Sequence, residues 1–206
     1  LRWVADGDLP ALHGDLKKAH LGDAGAETIS DITSCPGTDT CKLGIAASRG
    51  LAGEMRDRLA DVQDPAVKSL RIKISGCFNS CGQHHVADLG FYGMSRKIGN
   101  YTVPHFQMVL GGQWKANAGS YGLPLFAIPS KRVPEAIERI TSRFSRERKE
   151  AEDFRDFLNR IGKAEIRNMM EDLLDVPGYA ERPDYYSDWG DPREFNIGDM
   201  GVGECA

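Results

Sequence analysis

The sequence predicts an α+β fold, a mixed sheet with packed helices. Alternating apolar and polar residues mark short strands in the middle of the chain, as in Leu70-Arg71-Ile72-Lys73-Ile74. Stripes of three- and four-residue spacing follow from Val133 onward and mark helices. Short strands leading into a helical C-terminal part suit an α+β or layered α/β unit. With 206 residues, 41% of them hydrophobic, the chain is long enough for a real core.

The elements are justified in order. Leu1-Arg2-Trp3-Val4 reads as the end of a strand already under way, and the chain as a piece of a larger protein. Leu9, Leu12, Leu16 and Leu21 make a short helix that Asp8 can cap, with Pro10 in its first turn. Residues 22–40 read as loop. Leu43, Ala47, Leu51, Met55 and Leu59 repeat every fourth residue and predict a helix from about Thr40 to Ala60, capped by Thr38 or Asp39. Strands are expected at 70–75, 86–92 and 106–110, with a turn region over 93–100 and loosening around Asn117. Leu125–Pro129 is extended. Three helices follow, carried by Ile137, Ile140 and Phe144, by Phe154, Phe157, Leu158 and Ile161, and by Ile166, Met169, Met170, Leu173 and Leu174. The tail from Glu171 is acidic, with Arg182 and Arg193 its basic residues. Its tyrosines, Trp189 and Phe195 argue for an extended segment packed on a partner surface rather than disorder.

Lys plus Arg number 26 against 30 Asp plus Glu, a net charge of −4 that excludes a generally basic nucleic-acid binder. No stretch approaches the roughly 18 to 20 apolar residues of a membrane span, and no signal peptide opens the chain, so a cytoplasmic location is expected. Five cysteines are too few and too unevenly placed for a secreted disulfide scaffold.

Four cysteines form two local pairs, Cys35-x5-Cys41 and Cys77-x3-Cys81, each in a glycine-bearing loop. Four soft thiolates suit zinc or an iron–sulfur cube. The first pair misses the usual zinc spacing and the second meets it. Buried free thiols and a disulfide or redox dithiol are the remaining readings, though no Cys-x-x-Cys occurs. His13, His20 and His105 show no ligand spacing. His84 and His85 are either pocket residues or satisfied polar residues beside a strand.

The segments Thr33-Ser34-Cys35-Pro36-Gly37-Thr38-Asp39-Thr40-Cys41 and Gly76-Cys77-Phe78-Asn79-Ser80-Cys81-Gly82-Gln83 resemble the nitrite/sulfite reductase hemoprotein family. Val86–Phe91, Gly111-Gly112, Val133-Pro134-Glu135 and Glu152-Asp153-Phe154 look like the family too, so the resemblance covers roughly Leu9 to Leu174. It implies a 4Fe–4S cluster held by Cys35, Cys41, Cys77 and Cys81, with Cys81 also bridging to a siroheme iron. It implies the C-terminal cofactor-binding half of an enzyme that takes six electrons to sulfite or nitrite, supplied by ferredoxin or a flavoprotein. Asn79 matches the family's usual Asn; a turn role is the alternative. Thr38 and Thr40 face the cofactor or cap the helix, Gln83 lines the pocket, and the helix beginning near Thr40 aims its positive end at the anionic cluster.

Phe78 stands where many members carry Pro. A larger departure concerns catalysis. The family's Arg and Lys anion cage precedes the first cysteine motif by a long stretch, so no catalytic residue is assigned to this chain, which is expected to be inactive in isolation. Arg49, Arg71 and Lys73 read as solvated surface residues. The implied division is 1–30, the end of a ferredoxin-like half-domain and linker; 31–175, the cluster and siroheme domain; and 176–206, the tail. A non-catalytic zinc or iron–sulfur module is the alternative, and Cys205 matches no ligand position.

Overall fold

In the computed structural model, which describes residues 1, 3–113 and 119–198, five strands form one mixed sheet in the spatial order of the chain. They are β1 (Thr33–Ser34), β2 (Ile72–Ser75), β3 (Leu89–Ile98), β4 (Tyr101–Leu110) and β5 (Leu123–Pro129). β1, β2 and β3 run parallel, with Thr33 opposite Lys73 and Ile72 opposite Leu89; β3, β4 and β5 are antiparallel. The helices are α1 (Leu9–Lys18), α2 (Ser48–Leu59), α3 (Pro65–Lys68), α4 (Val133–Glu147) and α5 (Phe154–Met169). The expected α+β class, a mixed sheet with packed helices, is what the chain adopts.

Alternation decides the layers. Ile72, Ile74, Phe91, Phe106 and Met108 enter one core with Leu51 and Met55 of α2, Ile137 and Ile140 of α4 and Phe157 of α5. Val103, of opposite parity to Phe106 on β4, packs instead with Tyr185 and Tyr186 of the C-terminal segment. That segment therefore lies against the chain's own sheet. It is not wholly extended, since Pro183–Tyr186 forms a 3-10 turn.

Several expectations are corrected. The residues described at 1–4 form no strand, and Trp3, at φ 63°, is fully exposed. Asp8 makes no side-chain cap, and α1 buries none of its residues. Residues 22–40 contain β1 and a 3-10 turn at Gly37–Asp39. α2 begins at Ser48, not Thr40, with Ala47 rather than Thr38 or Asp39 at its N-cap. The N–H groups of Ile45 and Ala46 donate to Gly76 O at 2.9 and 3.0 Å, so this stretch bonds across to the second cysteine loop instead of starting a helix. Leu43 is correspondingly exposed. Residues 93–98 belong to β3, because the lack of a side chain at Gly93 lets the strand pass against the Gly76 carbonyl. The two expected C-terminal helices are both present, as the halves of α5 on either side of Gly162, whose φ of 79° and ψ of 160° are non-helical; only the last turn differs, a 3-10 turn at Glu171–Leu173. Arg71 and Lys73 are half-buried rather than freely solvated: the Arg71 side chain is 16% exposed and reaches Glu27 at 3.7 Å, while partial burial, then the nearby Arg71, lowers the Lys73 pKa. Arg49, by contrast, is exposed, 3.8 Å from Asp39. Asn117 and Cys205 lie outside the described residues.

Candidate metal centre

Topology brings the two cysteine pairs together. β1 and β2 are parallel neighbours, so the loops that follow them leave the same end of the sheet. Cys35 N donates to Ile74 O at 3.2 Å, which sets the first cysteine of one loop beside the strand end that leads into the other. Gly76 N donates to Cys35 Sγ at 3.0 Å. Ser48, in the first turn of α2, donates from Oγ to Cys35 O at 2.8 Å and lies 3.5 Å from Cys35 Sγ. Cys41 N closes onto Gly37 O at 3.1 Å, and a side chain on Gly44 would collide with the Gly37 backbone.

The four thiols differ in exposure. Cys41 and Cys77 are buried, Cys35 is partly covered and Cys81 is exposed; none is disulfide-bonded, which removes the disulfide alternative. Burial pushes the Cys77 thiol up. The Asn79 N–H opposes this, while Cys35, Cys41 and Cys81 all push it further up, so all three lie within electrostatic reach of Cys77. Among the described residues no three His, Cys, Asp or Glu side chains are grouped as a single metal ion would need. Thiolates on one tetrahedral zinc sit only about 3.8 Å apart, given Zn–S bonds of about 2.3 Å. Four soft thiolate donors suit a polynuclear iron–sulfur centre as well as zinc.

The other expected residues scatter around this group. Asn79 is exposed in the second loop, and Gln83, at φ 58°, accepts a hydrogen bond from Lys73 Nζ at 3.1 Å. Thr38 lines a cavity of about 510 Å³ with Asp39, Ala47, Asp188 and Trp189. Thr40 is half-buried at the C-cap of the Gly37–Asp39 turn, and neither threonine is the N-cap of α2. His84 is buried with Nδ1 2.9 Å from Ser75 Oγ and Nε2 3.4 Å from Ser80 Oγ, the satisfied polar reading. Burial, then the neighbouring His85, lowers its pKa to about 4. His105 is likewise satisfied, its Nδ1 3.0 Å from Val103 O.

Sequence reasoning missed Ser48, Ser75 and Gly76, which hold the cysteine loops through ordinary serine and glycine chemistry that has no spacing signature. It also missed Asp188, one acid among many in the tail. This carboxylate is buried, and accepts from Ala47 N at 2.7 Å, Trp189 N at 2.8 Å and Ser130 Oγ at 3.1 Å.

Two cysteine loops leave neighbouring parallel strand ends of a mixed sheet, an arrangement that can hold a metal centre between them. The nitrite and sulphite reductase 4Fe-4S domain family matches residues 25–177, and the chain belongs to it. It is 33% identical over 144 residues to sulfite reductase (ferredoxin) 2 of Mycolicibacterium paratuberculosis, covering 66% of this chain and 26% of that protein. It is 28% identical over 148 residues to the assimilatory ferredoxin-dependent nitrite reductase of Haloferax mediterranei, covering 68% of this chain and 24% of that one. The Mycobacterium tuberculosis NirA structure superposes with a TM-score of 0.68 and 28% identity, over 80% of this chain and 31% of that one. Dissimilatory sulfite reductase I, at 14% identity and a TM-score of 0.60, shares the fold. The chain thus spans about a quarter of the length of the curated relatives it matches.

Proposed function

We propose that this chain is the cofactor-binding portion of an assimilatory-type sulfite or nitrite reductase. The observation that carries the reading is the convergence of two cysteine loops on Cys77 from adjacent parallel strands. Cys35, Cys41, Cys77 and Cys81 would hold a 4Fe–4S cluster. Cys81, the exposed thiol, would be the ligand nearest the siroheme. When bound, the coupled pair supplies the six-electron reduction of sulfite to sulfide or of nitrite to ammonia.

The chain's own residues do three things in this reading. The Gly76 N–H donates to Cys35 Sγ and so stabilises thiolate charge there. Burial of Cys41 and Cys77 keeps water from the inner thiolates. The exposed rim of Phe78, Asn79, Cys81 and Gln83, with Thr38 and Thr40 on the first loop, presents one wall to the tetrapyrrole. Residues 31–175 form the cofactor domain, 1–30 the end of a preceding half-domain and linker, and 176–206 the tail. The electron donor is a ferredoxin or a flavoprotein, and the anion cage belongs to the rest of the polypeptide. No helix among the described residues is long and apolar enough to cross a membrane.

Anaerobic reconstitution with iron and sulfide, followed by absorption and electron paramagnetic resonance spectra, tests the ligand set. Wild-type protein should gain broad brown absorption and about four irons per chain. Cys41→Ser or Cys77→Ser should lose most of it. A colourless protein holding one zinc ion would overturn the reading in favour of a structural module.

A further inference from the structure

The segment after Val176 lies almost wholly beyond the matched family region, yet it contacts the cysteine site's support directly. α2 has a capping problem. Its N-cap residue is Ala47, which has no side chain able to satisfy the free N–H groups of the first turn. Asp188, from the far end of the chain, accepts instead from the N-cap residue's own N–H, Ala47 N, at 2.7 Å, and so ties the start of the helix down from outside. Its other oxygen is fixed by Ser130 Oγ and by the Trp189 N–H. The strap around it is equally specific. Trp189 Nε1 donates to Ser130 O at 3.1 Å, and Lys131 Nζ lies over the Trp189 ring while donating to Asp188 O. Gly50, on the first turn of α2, has no side chain because the Trp189 backbone occupies that space.

The next residue after Ala47 is Ser48, whose Oγ donates to Cys35 O and touches Cys35 Sγ. The path from tail to thiol is therefore short: Asp188, the Ala47 N–H, Ser48, Cys35. We infer that Asp188 is a positioning residue, a carboxylate delivered by the C-terminal segment that fixes the start of α2 and through Ser48 the Cys35 thiol. The consequence for a cluster rests on the ligand reading proposed above; the coupling between tail and thiol does not. A carboxylate suits the task because the Ala47 N–H, the Ser130 hydroxyl and the Trp189 N–H all donate to it. An amide of the same size has one acceptor oxygen and one donor nitrogen, so Asp188→Asn leaves a buried N–H facing another donor.

The test compares Asp188→Asn with Tyr179→Ala in the full chain. Tyr179 stacks on Tyr101 elsewhere along the same segment, so its loss loosens the strap without touching Ala47. Two readouts are taken: the alkylation rate of Cys35 relative to the exposed Cys81 in metal-free protein, and the resonance spectrum of the reduced protein after reconstitution. Asp188→Asn should raise relative Cys35 alkylation about tenfold, the scale of one lost buried charge-assisted bond, and shift the cluster's g-values. Tyr179→Ala should move neither while lowering the melting temperature. Should Asp188→Asn not fold, Ser130→Ala removes one donor and keeps the carboxylate, and a two- to threefold rise in alkylation is expected. Equal Cys35 alkylation in wild type and in the folded variant used would overturn the coupling, as would an equal effect from Tyr179→Ala. Wild-type protein that takes up no cluster, with Cys35 protection still dependent on Asp188, would sustain the coupling and overturn only the ligand reading.

Discussion

At the scale of single residues, the sharpest constraints are places where a side chain is missing. A Cβ on Gly93 would run into the Gly76 carbonyl, the same oxygen that receives the Ile45 and Ala46 N–H groups. Gly93→Ala must therefore push apart β3 and the junction of the two cysteine loops, and should cost about 2–3 kcal/mol. Gly53 is the contrasting case: it lies inside α2 with nothing within 4 Å of its would-be Cβ. Gly53→Ala should raise stability by about 0.5–1 kcal/mol through helix propensity alone. Urea unfolding of the pair separates steric need from mere permissiveness, and equal effects would contradict it. His84 adds a pH dependence. Its pKa is lowered from 6.5 to about 4 in the folded chain, by burial first and by His85 second. The unfolded chain then binds more protons between those values, so stability is fully present above about 6.5 and declines as pH falls toward about 4. Melting temperatures of wild type and His84→Gln across that window should converge at the acid end, the wild type showing the steeper slope.

At the scale of elements, α4 and the sheet's middle are legible in sequence because their periodicity reports burial directly. Ile137, Ile140 and Phe144 share one helical face, and Ile72 and Ile74 one strand face, and all five are buried. The start of α2 is not legible. Leu43 and Ala47 continue the four-residue spacing of Leu51 and Met55 backward, but the backbone between them is bonded to Gly76, a partner that no local window contains. The cysteine pairs are legible as a set by spacing and by family likeness. Their serine supports are not, because a serine that bonds a loop carbonyl resembles any other serine. The break in α5 is a further case, since Gly162 sits between two helical stripes without announcing whether they join. Its φ of 79° and ψ of 160° suit glycine alone, while open space surrounds it. Gly162→Ala should therefore lose about 1–2 kcal/mol by backbone strain rather than by clash. A melting temperature unchanged or raised would mean that the two halves of α5 can straighten into one helix.

At the scale of the whole molecule, the proposed reading makes the chain one wall of a site. α1 buries nothing, and Leu1, Trp3 and Leu9 are exposed at one end, while Phe78 and Leu43 are exposed beside the cysteine loops. Large apolar side chains left in water on these segments are the kind of surface that a covering partner would bury. The cations are no freer. Arg58 pairs with Glu54 and Glu138, Arg139 with Glu135 and Asp172, Arg143 with Glu147 and Glu165, and Arg160 with Glu152. Beside β2, Arg71 reaches Glu27 and Lys73 donates to Gln83. Reducing sulfite or nitrite requires preorganised donors aimed at an anion whose oxygens leave as water, and removing one such donor commonly costs about a hundredfold or more in rate. The arginines already held by acidic neighbours are poorly placed to supply several such donors. These 206 residues, reconstituted anaerobically with iron, sulfide and siroheme, should therefore show cluster signals but only trace turnover with a chemical reductant and either anion. In the proposed reading, adding the rest of a reductase polypeptide should restore the rate by several orders of magnitude, because it would bring the cage and cover the apolar rim. Turnover by the short chain alone at the rate of a whole reductase would sink this argument and would require an anion cage built from Arg71, Lys73 and their neighbours.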